Sequence, residues 1–323
     1  MRANASSRLP VFPRICAGVC LLGLLGCAPP SGEARLLLEP EGTITDGIPA
    51  GDGLDAIVDG WSVSFSKYLV AVGPVELRSL EAESHATDPL RLVIDLRQLP
   101  SQGVPLWTLS GLTEGRYDLF FGTTGSGREQ HESVSDDDFE RMESSNLTHL
   151  ITGTLEQAAG VSCPPASLAV VPSDAEVVGE NGAHDPCYAA PSLRFSIEAR
   201  AEVNCGPCAI DGLPGLAVQG GEVTTRAITL HGDHMFFGGF PEGAEGEVRR
   251  YAQWLADCDL DQSGTVTSKE LEMIQPSALA EFDERFPLGG SPLRPIDDML
   301  TYVESQLSTQ GHFEGEGECA IAL

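Results

Sequence analysis

The twelve residues Asp259-Leu-Asp-Gln-Ser-Gly-Thr-Val-Thr-Ser-Lys-Glu270 set oxygen donors at the spacing that a hard cation needs. Side-chain oxygens stand at loop positions one, three and five as Asp259, Asp261 and Ser263. Gly264 can take the sharp turn at six, Thr265 offers its backbone carbonyl at seven, and Glu270 can close the shell with two oxygens. Thr267, at nine, can hold a water. Ca2+ is the expected cofactor. Only three of these ligands are charged and no second loop of this pattern follows, so the affinity belongs at the weak end, on the order of 10⁻⁵ to 10⁻³ M. A second group of donors is His231-Gly-Asp233-His234, which His312 and Glu314 could approach if the C-terminus returns to the same place. Imidazoles with a carboxylate suit zinc or copper. The plainer alternative is that His231 ends a strand and Asp233 caps or turns the next segment. His85, His131, His149 and His184 stand singly and say little.

A cation loop needs elements to hold its ends. Tyr251, Trp254, Leu255 and Cys258 precede it at helical spacing, and Leu271 and Ile274 follow on one face of a second helix. With these flanks the segment resembles an EF-hand. The competing explanation is an Asp/Gly-rich loop arising by chance in a chain with 48 acidic residues.

The N-terminus speaks to compartment. Arg2, Arg8 and Arg14 precede an apolar stretch, Ile15 to Gly26, that is too short to remain as a membrane-spanning helix. It ends in Leu24-Leu25-Gly26-Cys27, which resembles the lipobox of bacterial lipoproteins. The resemblance implies that residues 1–26 are a cleaved signal, that Cys27 is diacylated through its thiol and acylated again at its new amino terminus, and that Ala28 directs the product to the outer membrane. Pro29-Pro30-Ser-Gly-Glu would begin a flexible tether over 27–45. Three acyl chains hold a protein to a membrane almost permanently. Residues 1–26 carry three Arg and no acid, so their removal takes the formal charge from −29 to −32. Such acidity excludes nucleic acid as a partner, and a solvated acidic surface accounts for the rest of it.

Export makes cysteine counting meaningful. Of nine cysteines, Cys16 and Cys20 belong to the signal and Cys27 to the anchor, leaving Cys163, Cys187, Cys205, Cys208, Cys258 and Cys319 for disulfides. Cys163 and Cys187 bracket a Pro/Gly-rich segment and form the best local pair; Cys319 returns to Cys205 or Cys208. Cys205-Gly-Pro-Cys208 has the thioredoxin active-site sequence, but the Gly and Pro residues that follow deny it the helix that would lower a thiol pKa.

Between tether and cation loop the pattern is β. Leu90, Leu92, Ile94 and Leu96 alternate with polar neighbours, and Leu193 to Cys205 keeps period two for thirteen residues. Further strands are expected at Trp61–Val72, Arg116–Thr123, Leu147–Leu155 and Val223–His231, with longer excursions near 124–145 and 159–190. Seven or eight antiparallel strands argue for a β-sandwich over 46–241. A helical module over 242–323 follows, with one EF-hand between its first two helices, a short helix at Ser277–Phe286 and another at Ile296–Gln306.

The lipobox, Asp59-Gly-Trp-Ser-Val-Ser-Phe, Glu114-Gly-Arg-Tyr-Asp, Thr229-Leu-His-Gly-Asp-His-Met-Phe-Phe, the cation loop and Gly311-His-Phe-Glu-Gly-Glu-Gly-Glu-Cys319 together resemble lipoproteins of myxobacteria along nearly the whole chain. That family brings no activity with it. It implies the architecture, and a framework joining Cys319 to a cysteine near 205, with Cys208, Cys163, Cys187 and Cys258 as additions of this chain. No His-Glu-x-x-His, Gly-x-Ser-x-Gly, P-loop or strand-linked Gly-x-Gly-x-x-Gly occurs. The sequence therefore reads first as a non-enzymatic, calcium-binding surface lipoprotein contacting an envelope or extracellular protein or polysaccharide. The second reading is a transition-metal carrier or metalloenzyme using His231, Asp233, His234 and His312, with thiol-disulfide exchange at Cys205 and Cys208 behind both.

Overall fold

The computed structural model describes residues 30–125, 129–240, 248–280, 291 and 293–322. Cys27, the leader and the first residues of the expected tether lie outside this set, as do the start of the helix expected near Glu245 and the end of Ser277–Phe286. No helix among the described residues is long and apolar enough to cross a membrane.

The chain is mainly β. A four-stranded sheet runs in the order Gly311–Phe313, Val223–Leu230, Gly32–Pro40, Val104–Leu112. A larger curled sheet has Val203–Ile210, Gly115–Thr123, Ser62–Val72, His149–Glu156 and Ser192–Ala199 along its middle, and the cation-loop strand Thr265–Thr267 on its edge. One continuous core joins them, with Leu36 and Leu38 from the first sheet and Tyr68, Val70, Ile151 and Phe195 from the second. The sheets are mixed rather than purely antiparallel: Gly32–Pro40 runs parallel to Val223–Leu230, and Ser192–Ala199 parallel to Thr265–Thr267.

Several expectations are corrected. Residues 32–40, assigned to a flexible tether, form an interior strand in which Ala34, Leu36 and Leu38 are wholly buried. The run from Leu193 to Cys205 is two strands, Ser192–Ala199 and Val203–Ile210, paired with different partners. Its alternation continues across the break because Thr148 Oγ1 accepts the Ala201 N–H and the Thr123 hydroxyl donates to the Ala201 carbonyl, so the backbone is satisfied there without a ladder. A helix at Asp136–Ser145 occupies the excursion expected near 124–145. Ser135 caps it by accepting from the Asp138 N–H, and three Asp in its first turn complement the helix dipole.

The region after 242 is not a separate helical module. Among the described residues its helices are short, Gln253–Ala256, Ser268–Leu271, Pro276–Ala280 and Met299–Leu307, and its strands Gly311–Phe313 and Glu318–Ala322 enter the two sheets. Trp254, Leu255, Met299 and Tyr302 belong to the common core. The Asp59-Gly-Trp segment ties the parts together. Asp59 Oδ2 accepts the N–H groups of Ala252 and Gln253, each at 2.8 Å, and the Trp61 indole donates to Gln253 Oε1 at 3.0 Å. Trp61, Trp107 and Trp254 are all buried, and truncating any of them to Ala costs ~3–5 kcal/mol on core precedent.

Candidate metal centre

His231 follows directly on the strand Val223–Leu230, and His312 lies on the short strand Gly311–Phe313 paired antiparallel to it, opposite Thr229. His234 opens the one-turn 3-10 helix His234–Phe236, for which Asp233 stands at the cap position without a side-chain cap bond. Three imidazoles thereby meet. The ring centroids are 4.3 Å apart for His231 and His312, 5.2 Å for His234 and His312, and 5.6 Å for His231 and His234. One ring nitrogen from each lies within 4.8 Å of the other two. The strand-end and turn roles expected as the plain alternative are thus real, and the cluster forms as well.

Hydrogen bonding decides which nitrogens carry lone pairs. The Thr309 hydroxyl donates to the Gln306 carbonyl at 2.8 Å, so toward His234 Nδ1, at 2.6 Å, it can only accept. His234 therefore holds its proton on Nδ1, and its Nε2 lone pair faces His312 Nε2 at 3.3 Å. His231 Nε2 sits 3.0 Å from the Gly315 carbonyl, which has no proton to give, so His231 is protonated there and keeps its lone pair on Nδ1. Such outer hydrogen bonds are what orient imidazoles for a metal. Burial, then the neighbouring His312 and His231, holds His234 well below the ordinary histidine range; burial, then His231, brings His312 down to about 4. Both are neutral at pH 7, so no proton must leave before they ligate.

Asp233 does not join the three imidazoles. Its Oδ2 accepts from Arg250 Nε at 2.6 Å and pairs with a second nitrogen of the same guanidinium, which lies 5.1 Å from the Phe237 ring centre. Glu314, the other carboxylate considered for this site, accepts from the Ala227 N–H at 2.6 Å and stays outside it. The imidazoles line a cavity of about 370 Å3 with Glu41, Asp55, Asp233 and Arg250. Sequence reasoning missed Glu41, Arg250, Thr309 and Gly315. Only the proximity of Thr309 and Gly315 to His312, three residues on either side of it, hinted at any of them.

In the cation loop, Asp259, Asp261 and Glu270 each bring a carboxylate oxygen within 4.8 Å of the others. Asp259 accepts from the N–H groups of Ser263 and Gly264, Asp261 from that of Ser263, and Gly264 takes φ +74° at the turn. Burial, with Glu270 and Asp261 adding their charge, pushes Asp259 up to about 6. Thr265 and Thr267 lie on the strand whose pairing with Arg194, Phe195 and Ser196 puts the edge of the large sheet beside the loop. The flanks differ from the expected long amphipathic helices. Each is a single turn, because Asp59 caps the first at Ala252 and the second closes at Glu272 after a Thr267–Glu270 capping box.

Cys163 and Cys187 form a disulfide, and a second joins Cys208 to Cys319. Of the two candidates, Cys319 takes Cys208 rather than Cys205, because the register of Val203–Ile210 against Glu318–Ala322 sets Cys208 opposite Cys319 and Cys205 opposite Ile321. Cys205 and Cys258 are both buried, and the Cys258 thiol donates to the Trp254 carbonyl. The Cys205-Gly-Pro-Cys208 segment lies on a strand, without the helix N-terminus that thiol activation uses.

No family model matches the chain, and no curated protein does. Among solved structures, MbnP from Methylosinus trichosporium is similar at 12% identity, over 82% of this chain and 94% of that one, with a TM-score of 0.27. A likeness that low transfers neither fold nor ligand.

Proposed function

We propose that this chain is a metal-binding protein of the bacterial envelope, held by lipid at Cys27, whose principal site is His231, His234 and His312. A single observation carries this reading: three imidazoles from two distant segments, 231–234 and Gly311–Phe313, converge with two of their tautomers fixed by outer hydrogen bonds. Three nitrogen donors suit zinc or copper. Binding, with one coordination position left toward the cavity, is the function this arrangement supports; catalysis at that position is the second reading, favoured only by the cavity itself. Calcium at Asp259, Asp261, Ser263, Thr265 and Glu270 has a supporting role, fastening the chain between Trp254 and Leu271 to the sheet edge. The lipid anchor rests on the lipobox resemblance alone, and an envelope protein or polysaccharide remains the proposed partner.

Elemental analysis of protein purified without a histidine tag tests the principal site. One zinc or copper per chain is expected, with affinity falling at least ~100-fold in His234→Ala or His312→Ala while the circular dichroism stays native. An apo protein after exposure to both metals would falsify the proposal. Calcium should raise the melting temperature in wild type and not in Glu270→Ala, by ~2.7 kcal/mol of stability at a hundredfold excess over Kd. The anchor requires radiolabelled palmitate in wild type and its loss in Cys27→Ser; soluble, unlabelled wild type returns the chain to freely secreted proteins.

A further inference from the structure

His231 belongs to two donor sets. With His234 and His312 it makes the imidazole cluster; with Glu41 and Asp233 it makes another, whose donor atoms also lie within 4.8 Å of one another. All five side chains line the same cavity. Two observations separate the second set from an ordinary acidic patch. Asp233 is 1% exposed, and its buried Oδ1 has no hydrogen-bonding partner among the described residues, a costly state for a carboxylate oxygen unless something fills it. Glu41 is also held in place, since its Oε2 accepts from the Thr43 N–H at 2.8 Å and from the Thr43 hydroxyl.

We propose that Glu41, His231 and Asp233 form an uptake station, from which a transition-metal ion moves to the three-imidazole site by exchanging carboxylate oxygens for the nitrogens of His234 and His312. This rests on the histidine reading. His231 commits one nitrogen as a donor to Gly315 and so has one lone pair. It cannot serve two ions, so the two positions are filled in succession, with His231 bound throughout. The direction follows from donor chemistry. Imidazole favours copper and zinc over what carboxylates offer, and the Arg250 charge on Asp233 Oδ2 weakens the oxygen set further. Stepwise exchange also spares the ion a passage through the protein without ligands, which is the expensive state for a charge leaving water.

Stopped-flow mixing of the metal-free protein with Co2+, followed by cobalt absorption, tests the station. Glu41→Gln keeps an oxygen for Thr43 while removing the charge and one donor. A station is crossed in both directions, so association and dissociation should slow by the same factor, about tenfold, with their ratio moving less than about twofold; tenfold is at the lower end of what charge contributes to association rates. In His234→Ala/His312→Ala protein, weak Co2+ binding with the faint spectrum of an oxygen-rich site should persist and disappear when Glu41→Gln is added. Faster dissociation at unchanged association would overturn the proposal by making Glu41 a ligand of the final site. Slower association that vanishes in about 0.5 M salt would reduce it to long-range attraction, and unchanged rates would remove it. Wild-type protein that takes up no Co2+ overturns the histidine site itself.

Discussion

His149 is saturated by partners that leave no room for a second proton. Gln310 Nε2 donates to its Nε2, so Nδ1 carries the hydrogen and donates to the Thr148 hydroxyl at 2.8 Å, which in turn donates to the Ala199 carbonyl. Tyr68 closes the chain by donating to Gln310 Oε1 at 2.7 Å. Burial brings the His149 pKa down to about 3, against about 6.5 in the unfolded chain. Between those values the unfolded state binds the extra proton, so the stability His149 contributes is complete above pH 6.5 and is lost as pH falls toward 3. Urea denaturation at pH 7 and at pH 4.5 should show wild type losing roughly 2–3 kcal/mol more than His149→Gln between the two. Equal losses would mean that the folded protein can accommodate imidazolium. Nothing in the sequence distinguished this histidine from His85 or His184, because its partners Gln310 and Tyr68 are 161 and 81 residues away.

At the scale of elements, two short strands near the end of the chain hold the three-histidine cluster together. Gly311–Phe313 sets His312 beside the end of Val223–Leu230, and Glu318–Ala322 is bolted to Val203–Ile210 by Cys208–Cys319. Strands of three and five residues add little alone. The disulfide closes a separation of 111 residues and should supply ~2–5 kcal/mol, mainly by restricting the unfolded chain. Cys208→Ser/Cys319→Ser is expected to lower the urea midpoint accordingly and to weaken metal binding measured by competition with a chelator. An unchanged metal affinity would show that the pairing with Val223–Leu230 alone holds His312. The sequence suggested that Cys319 returns to this neighbourhood, but Cys205 and Cys208 are equivalent until a register chooses one.

The whole molecule depends on a strand that composition concealed. Gly32–Pro40 has partners on both sides, Val223–Leu230 and Val104–Leu112, and its Leu36 and Leu38 are wholly buried. Burying two leucines is worth roughly 3–6 kcal/mol before its two ladders are counted, a large part of the 5–15 kcal/mol typical of a domain. Protein beginning at residue 30 should therefore melt cooperatively, and protein beginning at residue 41 should be unfolded or aggregated by circular dichroism and size exclusion. A folded product from residue 41 would restore the tether reading.

What the sequence determined by itself was local. Period-two alternation announced a mainly β chain, the spacing of Asp259, Asp261 and Glu270 announced a loop that gathers three carboxylates, and His231 with His234 announced an imidazole pair, because each of these signals is local in the chain. Only the tertiary structure decided that residues 32–40 are core, that the cation loop leans on the edge of the large sheet, that Cys208 takes Cys319, and that His312 completes the cluster. Those outcomes depend on which strands pair and in which register. Pairing across 80 to 190 residues is selected by the burial of whole faces at once, and no single segment carries that information.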